Sequence, residues 1–366
     1  AEGLEEAPSL VPESRRLTED GRDWHSPTFS SGSTAVIAVA DAETDDLVTE
    51  LWRLPLQADP QRLSDKGTLA ISDLVVVDDR IFFTAQDVGP TGIDFVAKHP
   101  GVWVTDVAGE DAPRLLTEAD LTVVGISPAE DGVLVTDSHR GTGRLFRLDA
   151  EGRCEQLTDG ELVVHGASAA SGQIVCTVTS ATSAGEVAVL HEGALEVLTN
   201  FSAKLAQAGI VEPKELTATS PDGYPVHGWV LTPSGEGPHP VLLNIHGGPY
   251  ASYGKDFFDE AQVYVEAGYA VVMCNPRGSW GYGTDHGRVI KEDMGNLDMA
   301  DVLAFLDHAV ATRSELDGER VGVMGGSYGG YLTSWIISHD HRWTGAIVER
   351  GYLDPSSFVG SSDIGW

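Results

Sequence analysis

The chain is poor in basic residues, in cysteine and in long apolar runs, and each shortage excludes something. Lys and Arg total 23 against 56 Asp and Glu, for a formal net charge of −33. A field of that sign repels phosphate backbones, so no nucleic-acid partner is expected. The acidity is spread along the chain and forms no tail, as on a well-solvated surface. No apolar run reaches the roughly 18 residues that a membrane helix needs, so no membrane partner is expected either. The first residues, AEGLEEAPSL, lack both an initiator Met and the positively charged start of a secretory signal. Only Cys154, Cys176 and Cys274 occur, an odd number with no C-x-x-C. Cys154 and Cys176 could pair. Each lies in or beside a strand-like run, however, and the expectation is reduced, partly buried thiols in a cytoplasmic protein.

What remains is a globular balance, 42% hydrophobic and 22% charged over 366 residues, enough for two domains. Two textures divide the chain near residue 205. Residues 1–205 hold short β-rich runs (Ala35–Ala40, Ile71–Val77, Ile81–Ala85, Val102–Val107, Gly132–Thr136, Leu145–Leu148, Ile174–Thr179, Val187–Leu190) separated by Gly, Asp, Ser and Pro clusters. A Leu-Thr or Leu-Ser pair recurs at 17, 63, 116, 157 and 198, spaced by 46, 53, 41 and 41 residues. A period of about 40 to 50 residues with about four strands per unit is the signature of a β-propeller blade, so a partial propeller of four blades is expected.

Residues 206–366 read differently. Leu216–Thr219 and Val226–Leu231 form a hairpin across Pro221-Asp222-Gly223. Val241–Ile245 and Tyr269–Cys274 read as buried strands, and Arg320–Met324 and Gly345–Val348 as further strands. They alternate with helices over Asp256–Glu266 (stopped by Gly268), Asp298–Arg313 and Tyr328–Ser338. The alternation predicts a mostly parallel α/β sheet, of which this segment is a part.

Three stretches follow such strands and carry residues suited to chemistry. Gly325-Gly326-Ser327-Tyr328-Gly329-Gly330 contains G-x-S-x-G between a strand and a helix, the context of a nucleophile elbow. Ser327 is the candidate nucleophile. The Tyr328 N–H, at a helix N-terminus, is a candidate oxyanion donor. The glycines at 325, 326, 329 and 330 would let neighbouring backbone approach. His246-Gly247-Gly248-Pro249 follows Val241–Ile245, and Gly248 is the second candidate donor; His246 precedes the serine and is expected to organise the loop. Asn275–Gly283 is a rigid loop in which Arg277 is either a solvated structural residue or a substrate contact.

Read together, SPDGYPVHGWVLTP, HGGPYASYG, NPRGSWGYG, DMGNLDMADV, GGSYGG and SSDIGW resemble, in that order, the prolyl oligopeptidase family of serine peptidases. They look most like its acylaminoacyl-peptidase branch. The resemblance covers about residues 206–366. It implies an α/β-hydrolase domain beside a propeller, Ser327 as nucleophile, Tyr328 and Gly248 as oxyanion donors, short peptides as substrates, and no metal or other cofactor. The family's acid and histidine lie far beyond its serine. The candidates here, His339, Asp340, His341, Asp354 and Asp363, fall too early. His339-Asp340-His341 reads as a solvated helix end. The expectation is therefore a fragment, truncated at both ends, that hydrolyses little or nothing by itself. Homo-oligomerisation stays open. So do three other functions: an esterase of the same fold, a dipeptidyl-peptidase, for which Leu4-Glu5-Glu6 offers a Glu pair without the accompanying aromatics, and a non-enzymatic scaffold.

Overall fold

The computed structural model describes residues 14–18, 21–42, 46–64, 67–118, 121–160 and 162–362. The Leu4-Glu5-Glu6 run, Asp363 and most of SSDIGW lie outside the described residues.

The first half folds into four four-stranded antiparallel sheets. They are β1–β4 (Trp24–Phe29, Ala35–Asp41, Thr49–Pro55, Gln61–Arg62), β5–β8 (Leu69–Val77, Arg80–Asp87, Gly101–Asp106, Arg114–Leu115), β9–β12 (Val123–Ala129, Gly132–His139, Thr142–Asp149, Cys154–Gln156) and β13–β16 (Val163–Ala170, Gln173–Ser180, Ser183–His191, Ala194–Val197). The first strands of successive sheets meet one another, β1 with β5, β5 with β9 and β9 with β13. The sheets therefore stack face to face in series, as propeller blades do.

Alternation along the strands explains this packing. Ile81 and Phe83 join the core shared with the first blade, while Phe82 joins the core shared with the third. Side chains of successive residues point to opposite faces, so a blade between two neighbours needs an apolar residue at every position. The run IFF in β6 meets that need. In β14 exposed and buried residues alternate, since one face packs on the third blade and the other is exposed.

The recurring Leu-Thr pair has a physical basis. Leu63, Leu116, Leu157 and Leu198 each donate a backbone hydrogen bond to a third-strand carbonyl: Leu51, Val102, Leu145 and Val187. The next residue's hydroxyl accepts from the N–H of that same third-strand residue, at 3.0, 3.1, 2.9 and 2.9 Å for Ser64, Thr117, Thr158 and Thr199. Each pair thus closes the hydrogen bonding where the short fourth strand has ended. Leu17-Thr18 lies ahead of β1, outside any strand.

A short helix, α1 (Ala203–Ala206), leads to a six-stranded sheet of order β17-β18-β20-β19-β21-β22. Its strands are β17 (Lys214–Thr219), β18 (Pro225–Leu231), β19 (His239–Ile245), β20 (Ala270–Asn275), β21 (Leu316–Gly326) and β22 (Gly345–Glu349). The first two pairings are antiparallel and the other three parallel, so the sheet is mixed. Between these strands lie α2 (Asp259–Glu266), α3 (Thr284–Arg288) and α4 (Leu297–Thr312); α5 (Tyr328–His339) and α6 (Pro355–Ser361) flank β22. Gly268, at φ 93°, ends α2 through a bond from its N–H to the Val265 carbonyl, the αL stop that glycine allows.

One face of the sheet, through Val230, Val272 and Leu243, packs on Phe305 of α4 and Leu332 of α5. The other, through Trp229, Leu231 and Met273, packs on Ala261 and Val265 of α2. Among the described residues no helix is long and apolar enough to cross a membrane. The cysteines are free: Cys176 and Cys274 are buried, but Cys154 is exposed rather than partly buried, because β12 is an outer edge strand.

Candidate active site

Three parallel strands end together and carry the three Gly-rich stretches to one edge of the sheet. Leu243 and Asn244 of β19 align with Val272 and Met273 of β20, and Asn244 and Ile245 align with Met324 and Gly325 of β21. The loops after β19 and β20 and the turn after β21 therefore emerge side by side at the carboxyl ends, where open α/β sheets place their sites.

Ser327 is exposed at the N-cap of α5 with φ 59° and ψ −118°. Positive φ is costly for a residue with a side chain, and such strain persists only where the surroundings enforce it. Here they do. The Ser327 N–H donates to the Glu349 carbonyl of β22 at 3.0 Å, and its carbonyl accepts from Tyr331 N–H at 3.0 Å. A Cβ on Gly329 would stand 2.0 Å from the Ile245 carbonyl oxygen, and one on Gly330 would stand 2.4 Å from that of Glu349. Gly325 is as tightly held, but Gly326 meets only the Arg350 side chain, at 3.6 Å.

The loop after β19 lies against this turn. A Cβ on Gly247 would be 3.3 Å from that of Ser327. Gly248 follows, exposed, with φ 113°. His246 Nε2 lies 2.9 Å from Ser279 Oγ and Nδ1 lies 2.7 Å from the Gly247 carbonyl, while burial lowers its pKa. The ring thus links the loop after β19 to that after β20. Ser327, His246, Gly247, Tyr253, Glu260 and Arg350 are among the residues lining a cleft of about 350 Å³.

Several supporting residues were not singled out in the sequence. The Asn275 amide bridges both Tyr253 backbone groups, at 2.8 and 2.9 Å, and donates to the Tyr282 hydroxyl. Tyr282 meets His227 Nδ1 at 2.6 Å. The Tyr328 phenol, buried beneath the elbow, donates to Asp298 Oδ2. Burial raises the pKa of Asp298, and it raises that of Tyr328, with Asp298 adding to the effect. The pattern DMGNLDMADV held Asp298 and Asp301, but nothing in its spacing marks them as partners of residues 30 positions downstream and 24 upstream.

Arg277 is a buried, ion-paired structural residue, not a solvated one. It is 5% exposed, and Nε and Nη2 donate to the fully buried Asp301 at 2.9 and 2.6 Å, Nη1 to Asp222 at 2.6 Å. Its hydrogen bonds to Asp301, and then to Asp222, hold its pKa above the usual range. It ties the β17–β18 turn to α4. His339-Asp340-His341 lies at the far end of α5, roughly 18 Å of helix from Ser327. His339 is exposed there, and Asp340 pairs with Arg342. Asp354 caps α6 by accepting from Ser356 N–H at 3.1 Å. Among the described residues no three His, Cys, Asp or Glu converge as a metal site would require, and no imidazole is hydrogen-bonded to Ser327 Oγ.

Residues 255–366 match the prolyl oligopeptidase family. The uncharacterized peptidase YuxL of Bacillus subtilis is 43% identical over 157 residues, 42% of this chain and 24% of the relative. A probable dipeptidyl-peptidase 5 of Arthroderma benhamiae is 28% identical over 272 residues, 69% of this chain and 36% of the relative. The solved acylaminoacyl peptidase of Pyrococcus horikoshii superposes with a TM-score of 0.82 at 23% identity, over 93% of this chain and 54% of that one. The chain thus spans about a quarter to a third of these curated relatives and about half of the solved one. The segment that matches this family carries Ser327, and both halves of the chain share the fold of the solved peptidase.

Proposed function

We propose that the protein is a serine peptidase that cleaves short peptides through an acyl-enzyme on Ser327. One observation carries this reading: an exposed serine held at positive φ on the N-terminus of a buried helix, beside a second glycine loop. Ser327 Oγ would bond to the scissile carbonyl carbon, and its proton would pass to an imidazole supplied from outside the described residues. The carbonyl oxygen would gain negative charge between the N–H groups of Tyr328 and Gly248. Collapse would then break the C–N bond and release the amine, and water would free the acyl group by the reverse steps. The propeller-like half would restrict entry to small substrates.

The names of two relatives supply the substrates to compare. The Pyrococcus horikoshii protein is named an acylaminoacyl peptidase, the Arthroderma benhamiae protein a probable dipeptidyl-peptidase. The test uses the product of the intact reading frame with an N-acylated peptide, the same peptide with a free N-terminus, and a simple ester. The expected order of kcat/KM is acylated peptide first, with all turnover lost in Ser327→Ala. Preference for the free N-terminus would favour dipeptidyl-peptidase action. Hydrolysis of the ester alone would contradict the peptidase reading.

A further inference from the structure

Tyr328 contributes more to the elbow than its backbone N–H. Tyr328 is 3% exposed, beneath Ser327, and its ring lies beside the stacked rings of Tyr331 and Tyr352, at 5.6 and 6.4 Å. In that apolar setting its hydroxyl donates to Asp298 Oδ2, in the first turn of α4. The same oxygen accepts the Gly295 N–H at 3.2 Å, and the Gly295 carbonyl accepts the Trp335 indole N–H at 2.6 Å. The start of α4 therefore grips α5 at positions 328 and 335, two turns apart on one side of the helix. Asp298 is wholly buried, and its Oδ1 has no hydrogen-bond partner among the described residues. Burying a carboxyl with half its acceptors unused is costly, and packing alone would favour an apolar residue.

We propose that Asp298 is a positioning residue: by holding the Tyr328 phenol it fixes the first turn of α5, and with it the direction of the Tyr328 N–H toward the developing oxyanion. The inference rests on the reading of Ser327 and Tyr328 given above. Glu349 holds Ser327 from β22, and the Ile245 carbonyl abuts Gly329 from β19. Asp298 supplies a polar hold on the third side, from α4. A hydrogen bond weakens steeply as its angle closes, so a small rotation of the turn would cost part of the transition-state stabilisation that one oxyanion donor supplies.

The test compares Tyr328→Phe, Asp298→Ala, Asp298→Asn and the Tyr328→Phe/Asp298→Ala double variant in the product of the intact reading frame. Rates are normalised to sites titrated with a fluorophosphonate, which removes any loss from unfolded protein. Tyr328→Phe and Asp298→Ala should each lower kcat about tenfold with KM within about twofold. The double variant should be no slower than the slower single, as expected when both changes break one bond. Asp298→Asn keeps an acceptor oxygen and should retain most of kcat. If Asp298→Ala does not fold, Tyr328→Phe, which removes only one oxygen, decides the question. Unchanged kcat per titrated site in Tyr328→Phe, or losses that multiply, would overturn the inference alone. Labelling that survives Ser327→Ala would overturn the nucleophile assignment and this inference with it.

Discussion

Gly329 has no room for a single methyl group, because a Cβ there would stand 2.0 Å from one carbonyl oxygen and 2.8 Å from the next. Gly326, three residues earlier in the same motif, meets its nearest neighbour at 3.6 Å, and that neighbour is a flexible Arg350 side chain. Gly329→Ala should therefore force α5 away from the end of β19. The expected loss is about 3 kcal/mol, with most of the Ser327 reactivity. Gly326→Ala should cost less than about 1 kcal/mol. Urea unfolding of both variants checks the contrast, and equal losses would contradict the packing assigned to the elbow. The sequence showed four glycines around one serine and no difference among them. The difference arises because β19, 80 residues upstream, passes beneath only some of them. Arg277 was illegible for the same reason. Its partners, the exposed Asp222 and the buried Asp301, lie 55 residues before it and 24 after it, and no local pattern brings them together.

Whole elements were easier to read where a local bond repeats. The Leu-Thr pairs marked the blades because each hydroxyl has the same task, accepting a third-strand N–H past the end of the fourth strand. Thr158 is 5% exposed, so removing its hydroxyl leaves the Leu145 N–H buried without an acceptor. Thr158→Val should cost about 1–2 kcal/mol and speed amide exchange at Leu145, while Thr158→Ser should leave both nearly unchanged. Equal behaviour of the two variants would show that the methyl, not the hydroxyl, fits the blade end. The outer strands were not legible. β4 and β8 are two residues long and exposed, with neither the length nor the alternation that marks a strand. Strands β18 to β21 and helices α4 and α5 were legible because they are largely buried and strongly patterned, whereas β22 is exposed along its whole length and was legible from its apolar residues alone. Some ends differ: α2 begins at Asp259, not Asp256, because Phe258 is its N-cap.

Across the whole molecule, the propeller-like half touches the loops that form the site. Gly141, in the β10–β11 turn, accepts from Lys255 N–H at 2.8 Å, and Arg140 N–H donates to Gly281 at 2.9 Å. Tyr250, two residues past Gly248, bonds His99 at 2.7 Å. Asp94 pairs with Arg288 at 3.1 Å and with Lys291 at 2.6 Å. The loops after β19 and β20 are therefore braced from both halves, and nothing in composition or periodicity forecast which residues would meet. All of these contacts bear on one claim, that they present Ser327 as a nucleophile. The most direct measurement is reaction of the product of the intact reading frame with a fluorophosphonate, followed by mass spectrometry of the labelled peptide. The expected result is a single adduct on Ser327, absent after Ser327→Ala together with hydrolysis. An adduct elsewhere, or labelling and turnover that persist in Ser327→Ala, would contradict the account.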